Sequence, residues 1–328
     1  MTGKEKVLIV GGAGYIGGYM TDYLLSRHYD VTVYDNLIYE ARFLKTVPFI
    51  FGDIRNKKLL SKILPNYSTV IWLAGIVGDG ACALDPSLTR TINEEMVKWL
   101  VDHYTGKIVF TSTCSVYGIN HELIDETAPV KPLSVYAKTK LAAEQYIYKH
   151  SKNYLIFRLG TLYGVGDAHS RVRLDLVANV LTKHAVLNKK MIIYGGEQWR
   201  PLLHVRDVST AIEYGIANNI TGLYNLAQKN YKIVEVAEAI KNYMPHEVDI
   251  EYIDTPFEDL RNYRVSTKAY VEKGWQSCFN LEQGIQDMHS IIHQMRIKNL
   301  DDPIYSCVHY LSHHSHVIKG LQEISYEI

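Results

Sequence analysis

Lys6-Val-Leu-Ile-Val-Gly11-Gly-Ala-Gly14-Tyr-Ile-Gly17 passes from an apolar run into a glycine triad. Residues 7–10 are strand-length. After Gly14 the apolar side chains Ile16, Tyr19, Met20, Tyr23 and Leu24 recur at helical spacing as far as Arg27. The segment therefore predicts strand, tight turn, helix. Gly11 suits the turn, Gly14 lets an anion approach the backbone, and Gly17 lets the helix pack closely on the strand. A helix N-terminus placed there faces the anion with free N–H groups. The spacing is Gly-x-x-Gly-x-x-Gly, and by itself it reads equally well as a structural turn.

The surrounding chain repeats the alternation. Strands are expected at Val31–Asp35, Val47–Phe51, Val70–Ala74, Ile108–Ser112 and Tyr154–Leu159, with long helices at Pro86–Tyr104 and Ser134–His150. Such alternation implies an α/β fold, a doubly wound parallel sheet with helices on both faces. After Gly164 the rhythm changes. Helices are expected at Val172–Asn188, Val205–Ala217 and Ile233–Tyr243, and strands at Met191–Tyr194, Leu223–Leu226 and Val248–Ile253. We expect a Rossmann domain over 1–165 with a returning segment near 204–227, a smaller C-terminal α/β substrate lobe over 166–300, and an irregular tail over 301–328.

Composition narrows the function classes. The 328 residues are 47% hydrophobic and 21% charged, with 35 basic and 35 acidic side chains. That balance gives no basic excess for nucleic acid or an anionic membrane. No apolar run approaches the roughly 20 residues that span a bilayer. The chain runs straight into a strand without a signal-peptide core, and Cys82, Cys114, Cys278 and Cys307 lack CxxC spacing. A cytoplasmic protein without disulfides or a zinc knuckle is the expectation.

Two further features carry chemistry. Asp35 ends the second expected strand, where a carboxylate accepts from both adenosine ribose hydroxyls and repels a 2′-phosphate. NAD is therefore expected over NADP, with Gly52-Asp53-Ile54 as an adenine contact and Ala74-Gly75 near the phosphates and ribose. Tyr136 and Lys140 lie one helical turn apart in Ser-Val-Tyr-Ala-Lys-Thr-Lys. A tyrosine titrates near pH ~10. Acid/base work near neutrality needs a shift of about three units, roughly 4 kcal/mol of phenolate stabilisation, which a lysine at i+4 can help supply. A hydroxyl from Thr113 or Ser115 could hold the substrate oxygen. Taken alone, with 25 tyrosines in the chain, the pair reads more readily as an amphipathic helix with a solvated lysine.

Read together, Gly-Gly-Ala-Gly-Tyr-Ile-Gly (11–17), Asp35-Asn36, Gly-Asp-Ile (52–54), Leu73-Ala74-Gly75, Asn93, Thr-Ser-Thr-Cys-Ser-Val-Tyr-Gly (111–118), Tyr136/Lys140, Arg-Leu-Gly-Thr-Leu-Tyr-Gly (158–164) and Arg-Pro-Leu-Leu-His-Val-Arg-Asp-Val (200–208) resemble the extended short-chain dehydrogenases/reductases that act on nucleotide sugars. The resemblance covers about residues 6–275. It implies an enzyme with Tyr136 as acid/base and Lys140 holding the nicotinamide ribose and lowering the tyrosine pKa. Thr113 matches the active-site hydroxyl. Gly11, Gly14, Tyr15, Ile16, Gly17, Asp35, Asn36, Asp53, Ile54, Leu73, Ala74, Gly75 and Asn93 then belong to the NAD site. Thr113, Ser115, Thr161, Arg200 and, less firmly matched, Arg261 face a nucleotide-diphosphate sugar. The resemblance also implies a homodimer through helices near 86–104 and 134–150.

The reaction is narrowed by what precedes Val116-Tyr117-Gly118. Dehydratases of this family place a carboxylic acid there, whereas this chain has Cys114-Ser115. C4 epimerisation is therefore expected. A 4-ketosugar reductase, a 4,6-dehydratase and a non-catalytic NAD-binding regulator are the alternatives. Thr161 and Val77 stand where galactose-type epimerases carry asparagine and lysine, so the sugar or its nucleotide can differ. Arg171, Arg173 and Asp175 are expected to border the substrate cleft. Cys114 is read as core, His169 as a solvated loop residue, and the histidines at 309–316 as a surface tail without metal.

Overall fold

The computed structural model describes residues 4–40, 42–167, 169–253, 262–294, 297 and 299–314. Fourteen strands occur among them: β1 Lys6–Val10, β2 Asp30–Asp35, β3 Phe49–Phe51, β4 Thr69–Trp72, β5 Lys107–Thr113, β6 Ile119–Ile124, β7 Tyr154–Leu159, β8 Thr161–Tyr163, β9 Lys190–Tyr194, β10 Trp199–His204, β11 Gly222–Leu226, β12 Lys229–Lys232, β13 Asp249–Ile253 and β14 Asn262–Val265. Seven of them form one sheet in the order β11-β7-β5-β4-β1-β2-β3, with every neighbouring pair parallel. β1 lies between β2 and β4, and Val7–Val10 are fully buried. A parallel sheet is covered on both faces, which is why its inner strands read as unbroken apolar runs.

The two faces hold separate cores. On one, Trp72, Phe110 and Ile156 pack under Met96, Ile147 and Leu311. On the other, Ile9, Ile71 and Phe157 meet Met20 and Leu24 of the Gly17–Ser26 helix and Val208 and Ile212 of the Val205–Ala217 helix. That second helix and β11 bring residues 205–226 back to the large sheet. A third cluster joins Leu181, Met191, Leu202, Val236, Ile240 and Ile285 around the helices Val177–Asn188, Ile233–Tyr243 and Leu281–His293.

Several elements depart from the sequence expectation. The helix expected from Val172 begins at Val177. Residues 171–175 are committed to side-chain bonds instead, including Arg173 to Asp175 at 2.9 Å. The expected Pro86–Tyr104 helix is interrupted by a π-helical turn at Thr91–Glu95. The segment expected to be irregular carries a helix at Cys307–His313, with Cys307 and Leu311 buried.

A buried network ties the sheet to the Val135–His150 helix. Arg158 of β7 donates to Glu144 of that helix through Nε at 3.1 Å and Nη2 at 2.6 Å. Ser112 of β5 donates to the same carboxylate at 2.7 Å. Arg158 Nη1 also donates to the Tyr117 hydroxyl at 2.7 Å, which donates onward to Asn225 of β11 at 2.7 Å. Replacing Glu144 by alanine leaves a buried guanidinium without its counter-ion. We expect a loss of about 3–5 kcal/mol in stability, measured by urea unfolding. A change below about 1 kcal/mol would show that the network is not a stabilising element.

Candidate active site

The C-terminal ends of β1, β2, β4 and β5 open onto a cavity of about 1100 Å³. Ligand crevices of doubly wound sheets lie at this edge, and the volume exceeds that of a typical small-ligand pocket. The glycine loop forms its floor. Gly11 has φ of 84°, and a Cβ there would fall 2.5 Å from the Ala74 nitrogen. A Cβ on Gly17 would lie 2.5 Å from the Gly12 Cα. Gly14 differs: its Cβ position meets only the Gly11 oxygen at 3.3 Å, which leaves room for a ligand. The helix beginning at Gly17 has no side-chain cap; the Gly18 N–H bonds back to the Gly14 oxygen at 3.1 Å, and no side chain covers the Gly17 N–H against an anion.

Asp35 anchors one end. Its carboxylate accepts from the Ala13 N–H at 3.0 Å and from the Leu37 N–H at 2.7 Å. Burial pushes its pKa up, and these N–H groups and Arg171 oppose the push. Leu37 adopts φ of 56°, a left-handed conformation uncommon for a bulky side chain. Asp53 lines the cavity, but its carboxylate is engaged by Arg55 at 2.8 Å and by Asn36 Nδ2 at 3.2 Å. Its direct effect is to fix Asn36.

Asn93 sits in the π-turn, outside the cavity lining. Its Oδ1 accepts from the Ile76 N–H at 2.9 Å and its Nδ2 donates to the Ile76 oxygen at 2.8 Å. It thereby shapes the Leu73–Val77 loop rather than presenting itself to a ligand. π-turns recur at functional sites for this kind of repositioning.

The structure brings Thr113, Tyr136 and Lys140 together. Ser134 caps their helix, accepting from the Ala137 N–H at 3.1 Å. The Thr113 hydroxyl accepts from the Ser115 N–H at 3.1 Å and lies near enough to the Tyr136 phenol to favour its ionised form. Lys140 is buried, donates to the Thr111 oxygen at 2.9 Å and lies 4.6 Å from the Phe110 ring centre. Burial pulls its pKa down to about 8. Tyr136 runs against the expectation that its pKa falls. Burial pushes it strongly up, Cys82 and Asp79 push the same way, and Arg173 and Thr113 pull down. Desolvation outweighs the neighbouring charges even though Tyr136 is only half-buried and lines the cavity.

Ser115, Thr161 and Arg200 line the same cavity. Arg200 is buried and donates to the Trp199 oxygen at 2.9 Å. Ser115 Oγ lies 3.5 Å from the Tyr263 hydroxyl. Arg171, Arg173 and Asp175 also border it. Arg261 lies outside the described residues. Cys114 turns into the core and donates to the Arg158 oxygen at 3.2 Å, and His169 is exposed. Among the described residues no group of three or more His, Cys, Asp or Glu side chains is placed to hold a metal, and no helix is long and apolar enough to cross a membrane.

Several lining residues carried no sequence signal. Asp79 accepts from the Ser134 hydroxyl at 2.6 Å and acts on Tyr136. Cys307, Val308 and Leu311 enter from the last described helix, far from any motif.

A family model described as "NAD dependent epimerase/dehydratase family" matches residues 7–227. The chain is 29% identical over 301 residues to a "UDP-glucose 4-epimerase" of Halalkalibacterium halodurans, covering 82% of this chain and 90% of that protein. It is 29% identical over 305 residues to a "Putative UDP-glucose 4-epimerase" of Methanocaldococcus jannaschii, covering 85% and 96%. Among solved structures it resembles Pal from Bacillus thuringiensis, with a TM-score of 0.75 at 26% identity over 88% of this chain and 99% of that one.

Lys140 has a measurable signature. Its pKa of about 8 lies below the ordinary lysine value of 10.5. Between those values the unfolded chain binds more protons than the folded one, so stability rises with pH. The penalty is fully present below pH 8 and is relieved as pH climbs towards 10.5. Urea midpoints should rise more steeply across this window in the wild type than in Lys140→Met. Parallel profiles would show that Lys140 is not strained by burial.

Proposed function

The chain belongs to the NAD dependent epimerase/dehydratase family, and from that premise we propose that it epimerises a nucleotide-diphosphate sugar at C4 through a 4-keto intermediate. The cavity fits the cofactor on its own geometry: an open approach over Gly14, an uncapped helix end and a carboxylate at Asp35. The backbone at Gly11, Gly14 and Gly17 would hold the diphosphate, Asp35 the adenosine ribose and Lys140 the nicotinamide ribose. A dinucleotide held there would supply the hydride acceptor and donor for the sugar carbon. Tyr136, as the phenolate, accepts the proton of the 4-hydroxyl at its phenolic oxygen and, as the phenol, gives it back. Thr113, which lines the same cavity as that phenol, holds the same oxygen. Arg200 and Arg173 supply positive charge for the nucleotide diphosphate, and a guanidinium fork suits that task.

One observation carries epimerisation over elimination. In the loop before Tyr117, Cys114 faces the core and Ser115 reaches the cavity, so neither position offers the acid that loss of water requires. Asp79 supports a second reading, a 4,6-dehydratase, because it puts a carboxylate close enough to act on Tyr136. Its bond to Ser134 fits recognition of a sugar hydroxyl better. We include a cytoplasmic homodimer in this reading. The three buried cysteines and single exposed one, all unpaired, fit a reducing compartment, and light scattering tests the dimer.

The decisive measurement is a panel of UDP-, dTDP-, CDP- and GDP-sugars with products followed by NMR. A C4 epimer is expected. A 4-keto-6-deoxy product would replace this reading by the Asp79 one, and a reduced sugar would identify a reductase. Tyr136→Phe should keep NAD binding and lose roughly 10³-fold in turnover. Turnover at the wild-type rate would remove Tyr136 from the mechanism.

A further inference from the structure

We propose that Arg171, locked in place by the C-terminal helix Cys307–His313, is a diphosphate-binding residue for the dinucleotide. This rests on the reading that a dinucleotide occupies the groove over Gly11–Gly17. Arg171 is 5% exposed and lines the same cavity as Asp35 and the glycine loop. Its guanidinium carbon lies 3.6 Å from the Tyr39 ring centre. Nη1 and Nη2 reach the Cys307 sulfur at 3.6 and 3.5 Å, and Nη2 reaches the Ile304 oxygen at 3.4 Å. Nε is buried with no hydrogen-bond partner among the described residues.

These are poor terms for a buried cation. A thiol and one long carbonyl contact replace the water a guanidinium loses, and burying charge without strong acceptors is costly. The carboxylates of Asp35, Glu40 and Asp175 act on it through space, but among the described residues none of them accepts a hydrogen bond from the guanidinium. An anion entering the cavity beside Asp35 would meet a preformed donor fork. Of the groups a dinucleotide brings, the diphosphate is the anionic one.

The segment that holds Arg171 is unusual in its origin. The Leu174 N–H donates to the Tyr305 oxygen at 2.9 Å, and the Cys307 N–H donates to Asp175 at 2.9 Å. The Tyr39 and Tyr310 rings are 5.3 Å apart, and Val308 comes within 3.2 Å of where a Gly80 Cβ would sit. This wall of the groove is built from chain well beyond residue 227, where the family match ends.

The test is calorimetric binding of NAD, NADP, ADP and adenosine to the full chain freed of bound nucleotide, compared with Arg171→Met, Arg171→Lys and Val308→Asp. Arg171→Met should weaken NAD and ADP by roughly 10- to 100-fold and adenosine by less than about 3-fold. Arg171→Lys should recover part of the loss, since it restores charge without the fork. Val308→Asp, which loosens the helix, should speed NAD release and serves if Arg171→Met does not fold. Equal losses for adenosine and ADP would make Arg171 merely structural and overturn the proposal. So would unchanged ADP affinity, a loss confined to NADP, or unaltered NAD release from Val308→Asp. Wild-type protein that binds neither NAD nor ADP would instead sink the dinucleotide reading itself.

Discussion

Glu144 and Arg158 meet beneath the C-terminal edge of the sheet, where both side chains are almost fully enclosed. Removing two charges from water costs several kcal/mol per ion, and the pair is tolerable only if the remaining donors and acceptors are also used. They are used by Ser112, Tyr117 and, through Tyr117, Asn225. Each partner belongs to a different element, so the network sets the distances among three sheet strands, the loop after β5 and the Val135–His150 helix. Thr113 rides on one of those elements and Tyr136 on another. Their relative placement inherits its geometry from this pair.

The chemistry then depends on enclosure. Lys140 is buried and Tyr136 half-buried beside it, and desolvation moves both towards their neutral forms. A phenol that resists ionisation is poorly suited to removing a proton until positive charge arrives beside it. Substrate recognition faces the opposite problem, with Arg173, Arg200 and Asp175 already desolvated or paired around the same space. The site is thus preorganised by charges that are costly to bury, and a bound anion would relieve part of that cost.

Much of this was legible in the chain. The helices at Val205–Ala217 and Ile233–Tyr243 begin and end at the expected residues, because their apolar positions recur at one period and their ends are marked. The glycine loop and Asp35 were readable because backbone crowding forbids a Cβ and leaves a signature in sequence. Asp79 was not readable. It lies in a short helix among Gly-Asp-Gly-Ala, and only the fold carries it to Ser134. The pairing of β6 with β14 joins segments far apart in sequence, and nothing local encodes such a partner. The Cys307–His313 helix hides Cys307, Val308 and Leu311 among histidines and polar residues, so composition points to a solvated tail while packing makes a wall. Arg171 and Arg173 were flagged, but their burial followed from that wall.

The π-turn at Thr91–Glu95 amounts to one extra residue held inside a helix. Asn93 faces both polar atoms of the Ile76 peptide only because of it. Deleting any single residue from this turn would give the helix a more regular ladder. It would also rotate everything on one side by about 100°, the angular step of one helical residue. The Leu73–Val77 loop would lose its clamp. This helix should therefore tolerate no change in length, a constraint on insertions and deletions that residue identity alone does not reveal.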